Sequence, residues 1–185
     1  MIPKELIFLF FIIILLISLI AFMINKYPEK FETLKEPNCV CAFDIDGTIT
    51  CGIERAAKAI AKCKELGAVI AINTARPSKW YNDLDLSKLG LDVSDIDSNF
   101  YHGEPFTCSF TDLKCFENSI AETKVKHLRD ISSKWNIKPE RIILFDDQWS
   151  NITFAKEMGF STIHANHYSG GLPDNVNEII HNILA

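Results

Sequence analysis

The sequence predicts an α/β fold in which a parallel sheet lies between layers of helix, and three observations predict it. Short apolar runs at Val40–Phe43, Ala68–Asn73 and Arg141–Phe145 each end at once in a carboxylate or hydroxyl side chain. Segments with helical apolar spacing alternate with them. The 185 residues leave room for one ordinary domain plus an appendage.

The appendage comes first. Leu6 to Ile24 is a run of 19 residues in which Ser18 alone is polar, long enough to cross a bilayer as a helix, and we expect an uncleaved single-pass anchor over residues 1–25. Lys4 precedes the run while Lys26, Lys30 and Lys35 follow it, a bias that tips the C-terminal domain toward the cytoplasm. Residues 26–38, with Pro28 and Pro37, read as a linker.

The domain proper is expected over residues 39–185. Its first strand reaches Asp44, and side-chain alternation sets Asp44 and Asp46 toward one side at the strand end, where open parallel sheets hold their ligands. Ile53 to Leu66 is an amphipathic crossover helix stopped by Gly67, and Ala68–Asn73 is the next buried strand, ending at Thr74. A small acidic insert at about 78–118 follows, with a hairpin suggested around residues 111–113. Ser119–Trp135 is a helix, Arg141–Phe145 the third buried strand, and then come a helix stopped by Gly159, a short strand near 161–164 and a closing helix from about Asp174.

The balance of 24 acidic against 19 basic residues forms no basic stripe, so nucleic acid is not indicated as a partner. Six cysteines lack paired C-x-x-C spacing, which argues against structural zinc; Cys39 and Cys41 read as reduced apolar fillers, and Cys108 and Cys115 have the spacing for a hairpin disulfide. The sequon at Asn151–Thr153 falls inside the last motif, where a glycan is hard to fit.

Strand ends in a parallel sheet share one edge, so Asp44, Asp46, Thr74, Asp146 and Asp147 converge, with Lys124 approaching from the preceding helix. Clustered carboxylates repel one another and resist burial, which points to a divalent cation. The stretches F-D-I-D-G-T, N-T, an intervening lysine and F-D-D-Q-W-S-N resemble, in order and spacing, the four motifs of the haloacid dehalogenase superfamily. The resemblance covers the chain from about Cys39 to its end and implies a Rossmann-like, Mg²⁺-dependent phosphatase with little or no cap, acting on a phosphorylated substrate.

By that resemblance Asp44 is the nucleophile and Asp46 the acid-base group, Thr74 and Lys124 bind the phosphoryl group, and the metal is held by Asp44, Asp46 through its carbonyl, and Asp147 or Asp146. Lys126 is the rival lysine, but Lys124 lies 23 residues before Asp147, the closer fit. The fourth motif departs from the common form: Asp146 stands in the place of a glycine, and Asn151 where an acid is usual. Arg76, two residues past Thr74, is a candidate for contacting substrate. Two other classes stay open, a phosphoacceptor signalling module, in which the acidic pair precedes the phosphorylated aspartate, and a catalytically silent tethered interaction domain.

Overall fold

The structure is a computed structural model that describes residues 3–26, 37–75, 85–92, 96–97 and 112–185. The chain divides into two compact units, Met1–Glu36 and Pro37–Ala185.

The first unit is the helix α1, Lys4–Lys26. Its side chains over residues 9–23 are exposed on every face. Among the described residues no helix is long and apolar enough to cross a membrane, so the expected transmembrane span is not supported by the fold.

In the second unit the elements follow in the order β1 (Val40–Phe43), α2 (Ile53–Glu65), β2 (Val69–Ile72), β3 (Ile96–Asp97), α3 (Leu113–Trp135), β4 (Ile142–Asp146), α4 (Trp149–Glu157), β5 (Ser161–His164) and α5 (Val176–Leu184). The sheet order is β3-β2-β1-β4-β5 and every pairing is parallel. β1 is therefore central, and its burial on both sides is what its uninterrupted apolar sequence requires.

Alternation along the strands divides the core into two layers. Cys39, Cys41, Phe43, Ile70, Ile72, Ile143 and Phe145 pack with Ala56, Ala59, Ile60 and Cys63 of α2 and Val176, Ile180 and Leu184 of α5. Val40, Ala42, Ala71, Ile142 and Leu144 pack on the other face against Val125, Leu128 and Ile131 of α3 and Ala155 of α4. The expected three-layer arrangement is thus the observed one.

Three local expectations change. Residues 114–117 are the first turns of α3 rather than a hairpin strand, because Asp112 caps the helix by accepting a hydrogen bond from the Cys115 backbone N–H at 3.0 Å. β3, two residues long, pairs beside β2 within a region read as acidic loop. Cys41 is joined to Cys63 in a disulfide, where a reduced filler was expected. Cys41 faces the layer of α2, and Cys63 lies on the buried face of that helix, so the crossover brings together two cysteines 22 residues apart. Cys115 is also disulfide-bonded, while Cys108, most of the insert at 78–118, and Arg76 lie outside the described residues.

Candidate active site

Strand register builds the site. Phe43 of β1 pairs with Phe145 of β4, and the two rings stack at 4.1 Å. The next residues, Asp44 and Asp146, consequently stand side by side at the end of the two central strands, and the Asp44 N–H extends the ladder to the Phe145 carbonyl at 2.9 Å. By alternation both belong to the face that α3 covers. There Lys124 of α3, only 3 % exposed, donates to Asp44 Oδ1 at 2.7 Å and to Asp146 Oδ2. Lys126, two residues on, is exposed.

Asp146 is further engaged: its Oδ1 accepts from the Gln148 N–H and from Asn151 Nδ2, each at 2.9 Å. Asp147 is less enclosed, with Oδ2 accepting from Gln148 Nε2 at 3.0 Å. The carboxylate oxygens of Asp44, Asp146 and Asp147 come within 4.8 Å of one another. Asp46 differs from its neighbour Asp44 in being exposed, because the strand ends at Phe43 and the wide turn Ile45–Ile49 begins. The sequence spacing suggested Asp44 and Asp46 as the facing pair; the carboxylate that stands beside Asp44 is Asp146.

Gly47 makes this turn possible. Its φ of 71° is in the left-handed region, and a Cβ there would overlap the Asp147 carboxylate. Thr74 is buried just beyond the end of β2. Its neighbour Asn73 continues the ladder to the Phe43 carbonyl at 2.8 Å, and its side chain donates to the Lys124 carbonyl at 3.2 Å. Asn73 thereby ties α3 to the sheet at the residue that carries the ammonium. No role for it was read from the sequence, although an amide at a strand end beside Thr74 is a signal that a nearby backbone needs a donor.

Burial pushes the Asp44 carboxyl up to about 7 against the lowering pull of Lys124, and the charges of Asp146 and Asp147 add to the rise. Burial likewise raises Asp147, with Asp146 adding to it. For Lys124 burial acts in the opposite sense, yet the ion pairs with Asp44 and Asp146 outweigh it and hold the ammonium above its usual range. Three carboxylates against one ammonium leave a surplus of negative charge that a divalent cation would relieve. Asn151 Oδ1, buried and with no hydrogen-bond partner among the described residues, adds a neutral acceptor suited to a metal's bound water. The donor set, all oxygen, fits a hard cation.

The acid phosphatase family model matches residues 32–181. The chain belongs to the acid phosphatase family. The acid phosphatases of this family are haloacid dehalogenase-like hydrolases, so the protein is a phosphatase-type enzyme, and the buried acidic triad is consistent with the metal use common to them. A solved structure, that of an uncharacterized protein from Corynebacterium glutamicum ATCC 13032 Kitasato, is 15% identical with a TM-score of 0.49, covering 79% of this chain and 95% of that chain. No curated protein matches the chain to significance.

The ion pairs yield a stability prediction. Lys124→Met leaves Asp44 and Asp146 buried without their cation, and we expect a loss of about 3–5 kcal/mol in urea unfolding of the metal-free protein. A loss below about 1 kcal/mol, the range of an exposed pair, would contradict the buried arrangement.

Proposed function

We propose that this acid phosphatase is a Mg²⁺-dependent phosphomonoesterase that works through a phosphoaspartate at Asp44, with α1 tethering it to a membrane. The observation that carries the reading is the buried Asp44 carboxylate, held by Lys124 and clustered with Asp146 and Asp147 at the sheet edge.

Lys124 holds Asp44 Oδ1, and Oδ2 is the oxygen assigned to attack. The Oδ2–P bond forms as the ester O–P bond breaks, and Asp46 gives its proton to the leaving oxygen. Water then attacks the phosphoaspartate, Asp46 takes a proton from that water, the Oδ2–P bond breaks and inorganic phosphate is released. The exposed position of Asp46 suits both tasks, since a group that meets the leaving alcohol and then water has to be reachable from solvent. Thr74 and the Lys124 ammonium bind the phosphoryl oxygens, and Lys124 offsets the charge spread over them. Asp44, the Asp46 carbonyl and Asp147 would hold the magnesium, with Asp146 orienting Lys124 and Asn151 around them. The metal, when bound, supplies positive charge that lets a phosphate dianion approach an aspartate.

The full-length chain should release phosphate from 4-nitrophenyl phosphate with Mg²⁺ and stop when the metal is chelated. Asp44→Asn should reduce turnover to background. Asp46→Ala should lower it by about 10²- to 10⁴-fold, and undiminished activity in that variant would remove Asp46 from proton transfer.

For the tether, the support is an apolar helix exposed on every face over residues 9–23. The Cys41–Cys63 disulfide favours the oxidising side of the membrane for the catalytic domain, against the charge-based expectation of the cytoplasmic side. The protein should stay with membranes through alkaline carbonate extraction. In freshly lysed cells Cys41 and Cys63 should react with a maleimide only after unfolding and reduction; reaction after unfolding alone would return the domain to the cytoplasm.

A further inference from the structure

We propose that the cavity beside Asp147 seats a nucleobase, which makes nucleoside monophosphates the substrate class; this rests on the phosphatase reading above. The cavity, about 450 Å³, is lined by residues 147–149 on one loop and 164–168 on another. Asp147 belongs both to this lining and to the carboxylate cluster, so the cavity opens directly from the place where phosphate would be cleaved.

Its walls are aromatic. Trp149 stacks on His164 with centroids 3.9 Å apart and planes 17° from parallel, yet 66% of it remains exposed. Tyr168 is 95% exposed. Among the described residues of the catalytic unit the exposed large apolar side chains are these two and Met158, so two of the three border one cavity. Both are held from behind. His164 Nε2 donates to the Asp147 carbonyl at 2.9 Å, which fixes the ring under Trp149. The Tyr168 N–H donates to Asn166 Oδ1 at 2.9 Å, and the His167 ring meets Tyr168 edge-on and Cys51 Sγ at 3.6 Å.

The loop that presents Tyr168 is anchored to the catalytic turn. A Cβ at Gly52 would overlap the Gly170 carbonyl, and one at Gly171 would sit 3.1 Å from the Thr48 carbonyl. Arg55 donates to the Ser169 carbonyl at 2.8 Å and the Leu172 carbonyl at 3.1 Å, and pairs with Asp174 at 2.7 Å. This wall is therefore built onto the motif that carries Asp44 and Asp46.

Lining chemistry selects the ligand. A phenyl group would fill a small part of the volume and leave Gln148, Asn166 and His167 unused. A nucleoside has a planar ring to stack on Trp149 or Tyr168 and ring nitrogens and amino groups for those polar side chains. It also carries no charge to oppose Asp147.

The test uses the full-length chain with adenosine 5′-monophosphate, 4-nitrophenyl phosphate and glycerol 1-phosphate. We expect Trp149→Ala and Tyr168→Ala each to lower the ratio of kcat/KM for the nucleotide over glycerol phosphate about tenfold, within the range of one lost base-stacking contact, mainly through KM. A merely structural effect would lower both substrates alike and leave that ratio unchanged, which would overturn the proposal. An equal loss of preference for 4-nitrophenyl phosphate would overturn the nucleoside assignment in favour of any aromatic ester. Calorimetry on Asp44→Asn separates the two readings: adenosine monophosphate binding that Tyr168→Ala weakens supports the cavity even if the wild type hydrolyses nothing. Undetectable binding, alongside normal glycerol phosphate hydrolysis by the wild type, overturns the cavity and leaves the phosphatase intact.

Discussion

One ammonium between two buried carboxylates is the interaction on which the rest of the catalytic unit depends. Lys124 lies between Asp44 and Asp146 in a place where none of the three is solvated. Charges so placed are tolerable only when paired and hydrogen-bonded. The surrounding structure meets that condition through Gln148 and Asn151 on Asp146 and through Asn73 on the backbone of α3. The helix, the two central strands and the turn after β4 are thus held in one arrangement by a polar centre as well as by the apolar layers.

That centre also gives the four aspartates different surroundings. Asp146 has its acceptors filled from three directions, whereas Asp147 is half-buried and its carboxylate accepts from the Gln148 side-chain amide and from a backbone N–H. In the proposed mechanism this difference assigns Asp146 to holding Lys124 and Asn151 in place, and Asp147 to the cation. Asp44 is close to both, and its pKa is raised first by burial and further by the charges of Asp146 and Asp147, against the lowering pull of Lys124. Asp46, set outside by the turn at Gly47, stands where protons can be exchanged with solvent.

Much of this was legible in the chain itself, for identifiable reasons. Buried parallel strands must be continuously apolar, so β1, β2 and β4 stood out, and the polar residues that stop them marked the sheet edge. The motif order then supplied Asp44, Thr74, Lys124 and the Asp146-Asp147 pair as candidates. What sequence could not supply was register and packing across distance. The side-by-side placement of Asp44 and Asp146 follows from Phe43 pairing with Phe145, a fact of the assembled sheet. The Cys41–Cys63 disulfide depends on which face of α2 meets β1, and cysteine spacing alone carries no trace of it. The acidic run that conceals β3 illustrates another limit, because a two-residue strand is too short to show a period.

The central claim is that Asp44 carries the phosphoryl group, and chemical trapping tests it most directly. Full-length protein, quenched in acid during turnover of a phosphate ester, would be treated with borohydride and mapped by mass spectrometry. Reduction should convert Asp44 to homoserine in the wild type and leave Asp46, Asp146 and Asp147 as aspartate. Label at any of those three in place of Asp44, or full turnover by Asp44→Asn, would contradict it.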